Sequence, residues 1–385
     1  MSGRWTGRIA TAGGVAWLLA TAAACAAVGP GTVIVHSKFG GQIFGFDIDQ
    51  AGTEGVLSES KDVGVGKYLA AVETFDQASG KILSVVKKIV GKDDFLTLGV
   101  MGGGVGVVER EHAPVLYVTK RIYDEISPLD ANAFTGVWKP PLQADDIIFF
   151  VSRNQAAGSN AFYVLHNTGA GSTLVIGADV AGGTVGPRVK LTNPVFGTCC
   201  VAGVGYNAAT NQAVLAGSTG EVGGPPPLFA LADLGTGRVV TFAGLQGPPP
   251  YGAGYVNGIA VDSDDQIACT TTELDARVEF YDLKKQTGFF VTLPGQPGQI
   301  NSGSDVEYDP AHKLFFVAQS VSTTGSGSSI QIYDLKGNLV ESLNGFDFSN
   351  RFNVIGTHIA LNPANRTGYV DGPAADVSEL QRFSY

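Results

Sequence analysis

Three stretches of the chain, NGIAVDSDDQIACTTTE (257–273), SDVEYDPAHKLFFVAQS (304–320) and THIALNPANRTGYVDG (357–372), share one cadence. Each is a short extended run, a turn opened by Asp or Asn, and a second extended run. After the first two comes a loop, a strand ending in an aromatic residue plus Asp, a tight turn and a last strand. VEFYDLKKQTGFFVTL (278–293) and IQIYDLKGNLVESL (330–343) show this second template, IFGFDIDQAGTEGVL (43–57) fits it near the N-terminus, and LFALADLGTGRVVTF (228–242) is a looser copy that keeps Asp233 and a Gly turn. Alternating β-branched and aromatic residues joined through such turns signal antiparallel hairpins. An inner hairpin plus an outer one makes a four-stranded unit of about 45 to 55 residues.

A unit of that length and make-up is one blade of a β-propeller, so the sequence predicts an all-β chain of four-stranded blades. Inner hairpins are expected near 68–88, 104–119, 146–165, 200–216, 257–272, 305–319 and 358–370, which favours seven blades. Between 100 and 195 the spacing is uneven, interrupted by Trp138-Lys-Pro-Pro141 and a Gly-rich run at 182–186, which leaves six or eight open. VIVHS (33–37) and the hairpin after it precede any expected inner strand, and the last unit stops before its fourth strand. Pairing the N-terminal strands with the C-terminal blade would close the ring and remove two exposed sheet edges. Paired β-sandwiches need no shared template, and a β-helix has a much shorter period. After the N-terminal segment no stretch keeps the i, i+3, i+4, i+7 apolar pattern of a helix.

Composition agrees. The 385 residues include 53 Gly, with 44% hydrophobic and 16% charged, a turn-rich β composition rather than a disordered one. The formal net charge is −10 without any block of Lys and Arg. Nucleic acid is therefore not an expected partner. Arg4 and Arg8 precede an apolar, Ala- and Leu-rich stretch from Ile9 to about Val28, the pattern of a secretory signal peptide. The expected organisation is a signal peptide over 1–28 and a single propeller over 29–385, exported to a secreted or periplasmic location as a monomer with no membrane span after cleavage. An uncleaved anchor is the competing reading of the apolar stretch, and lipid attachment at Cys25 is a third. Cys199, Cys200 and Cys269 remain; one of the adjacent pair could bridge to Cys269 in an oxidising compartment, leaving one thiol over.

Loops feeding the innermost strands of successive blades converge on the central channel, and Asn257, Asp305 and His358 stand just before three such strands. An amide oxygen, a carboxylate and an imidazole could share one cation, and an oxygen-rich shell suits Ca2+ or Mg2+. One feature opposes the set: Asn257 lies five residues before Asp262, whereas Asp305 lies four before Asp309, so the side chains would point to opposite faces. Other motifs read as structure. Asp262-Ser-Asp264-Asp265 lacks the glycine and distal Glu of a calcium loop and is expected to be a turn. His36, His112, His166 and His312 stand singly, with His312 solvated. Asn365-Arg-Thr367 fits a glycosylation sequon, and the Pro tracts at 225–227 and 248–250 read as stiff spacers. There is no Gly-x-Ser-x-Gly elbow, and the GGG at 102–104 lacks the Lys of a phosphate loop.

The runs GIAVDSDDQI (258–267), HIALNPANRTGYV (358–370) and YNAATNQAVL (206–215) resemble inner-hairpin motifs of a broad propeller superfamily. It includes NHL-repeat proteins, lactonase-type propellers and gluconolactonases of the regucalcin kind. The likeness is clearest over 200–385 and is specific for fold rather than activity, because the matching residues are turn and packing residues. In gluconolactonases an Asn and an Asp from adjacent blades resemble Asn257 and Asp305, and a metal there polarises a lactone carbonyl. The resemblance thus implies Asn257 as a ligand and Asp305 as a ligand or catalytic base. The glutamate those enzymes supply from the first blade has no match here. Two functions follow: a non-enzymatic exported propeller that binds a small molecule, glycan or protein through its channel or face loops, and a metal-dependent lactone or sugar-acid hydrolase.

Overall fold

The computed structural model describes residues 31–49, 52–62, 68–90, 106–110, 113–117, 146–153, 160–167, 172–179, 184–196, 201–217, 225–246, 256–272, 276–295, 302–320, 326–347, 358–372 and 378–385. The expected signal peptide, Cys25, Cys199, Cys200 and His112 lie outside them. The chain enters on β1 (Thr32–His36) and then lays down a first sheet of β2 (Gln42–Ile48), β3 (Glu54–Asp62), β4 (Tyr68–Asp76) and β5 (Ile82–Val90). A two-stranded sheet follows, β6 (Gly106–Arg110) and β7 (Ala113–Tyr117). Next come β8 (Asp146–Arg153), β9 (Asn160–Asn167), β10 (Ser172–Asp179) and β11 (Thr184–Leu191), then β12 (Val201–Asn207), β13 (Gln212–Gly217), β14 (Leu228–Asp233) and β15 (Val239–Ala243). The fifth sheet is β16 (Val256–Asp262), β17 (Ile267–Thr272), β18 (Arg277–Asp282) and β19 (Thr287–Thr292); the sixth is β20 (Ser302–Asp309), β21 (Leu314–Ser320), β22 (Ser326–Asp334) and β23 (Leu339–Asp347). The last takes β24 (Ile359–Asn362), β25 (Thr367–Asp371) and β26 (Glu379–Ser384), with β1 as its fourth strand.

All described strand pairs are antiparallel between neighbours in sequence, save the closing pair. There β1 joins β26 with Thr32 opposite Arg382 and His36 opposite Glu379. The innermost strands lie beside one another in a closed cycle, β2, β6, β8, β12, β16, β20, β24 and back to β2. The core is the set of layers between sheets. Phe280, Cys269 and Val278 of the fifth sheet meet Val306, Phe315 and Val317 of the sixth; Phe316 and Ile332 of the sixth meet Leu361, Val370 and Phe383 of the last; Ala360, Tyr369 and Leu380 of the last meet Ile43, Phe46, Leu57 and Phe75 of the first. The fourth, fifth, sixth and last sheets are each packed on two faces, which is why their second and third strands read as apolar runs. Apolar burial of this kind contributes about 25 cal/mol per Å2.

The helix-free expectation holds among the described residues apart from one 3-10 turn, Pro194–Phe196. The expected ring closure also holds: β1 supplies the missing fourth strand. The first blade differs. The stretch 43–57 falls on the inner hairpin β2–β3, and 68–88, expected to be inner, is the outer hairpin β4–β5. The reason is chemical. A strand-ending aspartate closes hairpins of both kinds, because its carboxylate caps the amides of the turn. Asp49 accepts the backbone N–H of Thr53 at 2.8 Å in an inner turn, as Asp76 accepts that of Ser79 at 2.7 Å in an outer one.

Candidate functional site

Five innermost strands share one irregularity near their start: β2 between Ile43 and Gly45, β8 between Ile148 and Phe150, β12 between Val201 and Gly203, β16 between Asn257 and Ile259, and β20 between Gly303 and Asp305. Such a bulge re-aims the residue beside it. Opposite the fifth residue of the returning strand stand Gly45 (facing Ser58), Gly203 (Ala216), Asn257 (Thr271) and Asp305 (Ala318), with Gly258 the bulged residue of β16, and His358 precedes Ile359 at the same place in the last inner hairpin. Two are glycines. The described side chains that carry chemistry, Asp305 and His358, occupy adjacent blades.

Gly258, the bulged residue of β16, shows how closely this strand start meets the next blade. Its φ is +58°, and a Cβ there would stand 2.4 Å from Asp305 Oδ1 and 2.6 Å from the Val306 nitrogen. The position thus presses on the next blade, and only glycine leaves room for the Asp305 carboxylate. Asp305 Oδ1 accepts its neighbour Val306 N–H at 2.8 Å, and Oδ2 accepts Ile359 N–H at 3.0 Å across the interface to the last blade. His358 Nδ1 stands 3.9 Å from Asp305 Oδ2, with the two side chains 32% and 19% exposed. That separation is an ion-pair distance rather than a hydrogen bond. The His358 backbone N–H donates to Asp371 Oδ2 at 3.3 Å, and its Nε2 is buried without a hydrogen-bond partner. Burial pushes the Asp305 carboxyl up to about 7, against the pull of the Ile359 and Val306 amides. A carboxyl that exchanges its proton near neutrality beside an imidazole can hold, give or take a proton from a polar group placed between them.

Two of the three expected site residues are therefore brought together. The third, Asn257, has its backbone in β16 opposite Thr271, and its side chain lies outside the described residues. The backbone of Asn257 stands opposite Thr271 as that of Asp305 stands opposite Ala318, so the unequal offset in the sequence is taken up by the bulge at Gly258 and is not a change of register position. Among the described residues no group of three or more His, Cys, Asp and Glu side chains is gathered as metal ligands. Asp371 was missed; its signal is its place just after Val370, which pairs with Ile359 across the last inner hairpin. Asp262, Asp264 and Asp265 form the expected turn, with Asp262 Oδ1 accepting Asp264 N–H at 3.1 Å. His312 is exposed, as expected, and its Nδ1 also lies 2.7 Å from the buried Asp309 carboxylate. Cys269 is wholly buried in β17, its thiol pushed well up by burial and by Glu279; the proposed bridge to Cys199 or Cys200 falls outside the described residues.

No protein-family model matches the chain, and no curated protein matches its sequence. Solved structures do match. The Dos1 propeller superposes with a TM-score of 0.53 at 9% identity, covering 92% of this chain and 95% of that one. Hydrazine synthase of Kuenenia stuttgartiensis gives 0.53 at 11% identity, covering 91% and 97%. The chain is a β-propeller. A candidate 6-phosphogluconolactonase from Bacteroides uniformis follows at a TM-score of 0.42 and 10% identity, covering 85% and 77%, too distant to bear on chemistry. At these identities the likeness extends to the propeller fold and no further.

Proposed function

We propose that the chain is a binding propeller of seven blades, β6–β7 belonging to the second, which takes a small ligand, glycan or protein segment at the channel mouth beside Asp305, His358 and Asp371. One observation carries this reading. The blade position that is glycine at Gly45 and Gly203 carries Asn257, Asp305 and His358 in three successive blades, so polar residues at this position cluster in one sector of the ring. Rigid rings with chemistry confined to one sector suit recognition, which places few polar groups on a fixed scaffold. Export through a signal peptide over 1–28 belongs to the same proposal.

The metal-dependent hydrolase is the second reading, and the donor geometry weighs against it. Both Asp305 oxygens already accept backbone N–H groups. The experiment separates the two. Thermal shift against a panel of glycans, sugar acids and lactones, with and without Ca2+ or Mg2+, is expected to give hits that His358→Ala abolishes at unchanged fold. A stability rise that depends on metal, together with lactone turnover lost in Asp305→Ala, would reverse the preference. Ligand shifts that survive His358→Ala would move the binding site elsewhere.

A further inference from the structure

Residues 37–41 run as a strap from β1, which closes the ring, to β2, the first innermost strand, and two glutamates lie beneath it. Glu59 on β3 and Glu73 on β4 are both 0% exposed. Glu59 pairs with Ala71 and Leu57 with Glu73, which sets the two glutamates diagonally on one face of the first sheet. Both hold the strap. Ser37 donates its hydroxyl to Glu59 Oε2 at 2.7 Å, while Glu73 accepts Phe39 N–H at 2.8 Å and Lys38 N–H at 3.1 Å.

The charges facing the pair are few. Lys38 on the strap turns its Nζ to the Ile82 carbonyl at 3.0 Å. Lys61 on β3 turns its Nζ to the Phe39 carbonyl at 3.3 Å. At the head of the strap His36 is engaged with Glu379 of β26. Among the described residues neither glutamate forms an ion pair. Two buried carboxylates that share a sheet face oppose each other's ionisation, and the charges of Lys61 and Lys38 offset this only in part. Burial and the charge of Glu73 push Glu59 up to about 8, and burial raises Glu73 as well.

We propose that Glu59 and Glu73 form a proton-operated clasp on the strap that closes the propeller ring. With Glu59 protonated, the strap sits over one neutral and one charged acid and the ring is fastened. When Glu59 gives its proton to solvent, two like charges stand together under the strap, and the strap lifts. The acid is favoured as the neutral form in the folded ring, so its contribution is full below the ordinary glutamate value near 4.5. It is lost as pH rises through about 8. The device sits apart from the Asp305 sector and does not rest on the binding reading.

Hydrogen exchange on the full chain tests the clasp, with strap amides of residues 37–41 compared with those of β21 and β22 after correction for intrinsic rates. Between about pH 6 and pH 9 strap protection is expected to fall about tenfold, the ratio one pH unit beyond the titration gives, while β21 and β22 keep theirs. In Glu59→Gln, which keeps an oxygen for Ser37 and cannot ionise, the strap profile should be flat. A wild-type strap whose protection is level across this range overturns the proposal whatever the variant does. A Glu59→Gln strap that loosens in parallel with wild type overturns it as well.

Discussion

At Asp305 one carboxylate joins two blades and at the same time stands beside the imidazole of the next. The two amides it accepts fix its orientation, and the burial that shields them raises its affinity for a proton. Its folded value of about 7 lies above the ordinary 3.8. Its contribution to stability is therefore full below the lower figure and declines as pH rises towards the higher one, by up to about 1.4 kcal/mol per pH unit. Asp305→Asn keeps one oxygen but turns an NH2 towards a backbone donor, at a cost of about 1–3 kcal/mol. Urea denaturation of wild type and Asp305→Asn at acid and neutral pH should show that penalty shrinking as pH rises to about 7. A penalty that is constant across the range contradicts a titrating Asp305.

Four inner hairpins repeat one turn. Asn207, Asp262, Asp309 and Asn362 open it, all buried, and four residues later Asn211, Gln266, Lys313 and Arg366 adopt φ between 51° and 59°. A side chain in that left-handed region costs about 1–2 kcal/mol, of which glycine would return part after its own entropy loss of about 0.5–1 kcal/mol. Gln266→Gly is thus expected to stabilise by roughly 0.5 kcal/mol in thermal or urea melts, with the binding sector unchanged; a destabilised variant would mean that Gln266 makes contacts worth more than its strain. This turn is also why these four inner hairpins were legible in the sequence. Its Asx opening and fixed length lie within a few consecutive residues. The first blade was misread because Phe46-Asp47-Ile48-Asp49 carries the aromatic–Asp ending that also marks outer hairpins, and which strand faces the channel depends on distant partners. The clasp was hidden for the same reason: Glu59 and Glu73 face each other only once the register of β3 and β4 is set, and Ser37 reaches them only after the ring has closed. The Asp305–His358 pair was visible because it recurs at one offset from the turn, while Asp371 becomes its neighbour only through strand pairing.

For the molecule as a whole, closure is the step on which the other layers depend. β1 pairs along β26, and Val35 is wholly buried in the core that joins the last sheet to the first. Near the other end Tyr385 crosses to the sixth blade, its hydroxyl donating to Asp309 Oδ2 at 3.0 Å and its ring 4.5 Å from that of Phe316. Arg366 lies over the same ring at 5.6 Å. The last sheet is thus fastened on one flank by a strand and on the other by an aromatic clip. A chain beginning at Phe39 would lack β1, lose the burial of Val35 at a cost of about 1.5–3 kcal/mol, and expose the edge of β26 to pairing with other chains. Its urea transition should move to lower denaturant and broaden, and size exclusion should show association that grows with concentration. Tyr385→Ala keeps every strand and removes only the clip, so it should lower the midpoint while the protein stays monomeric. If the shortened chain were monomeric with the midpoint of the full one, β26 would tolerate its bare edge, and the stability of the ring would have to reside in the layers between sheets alone.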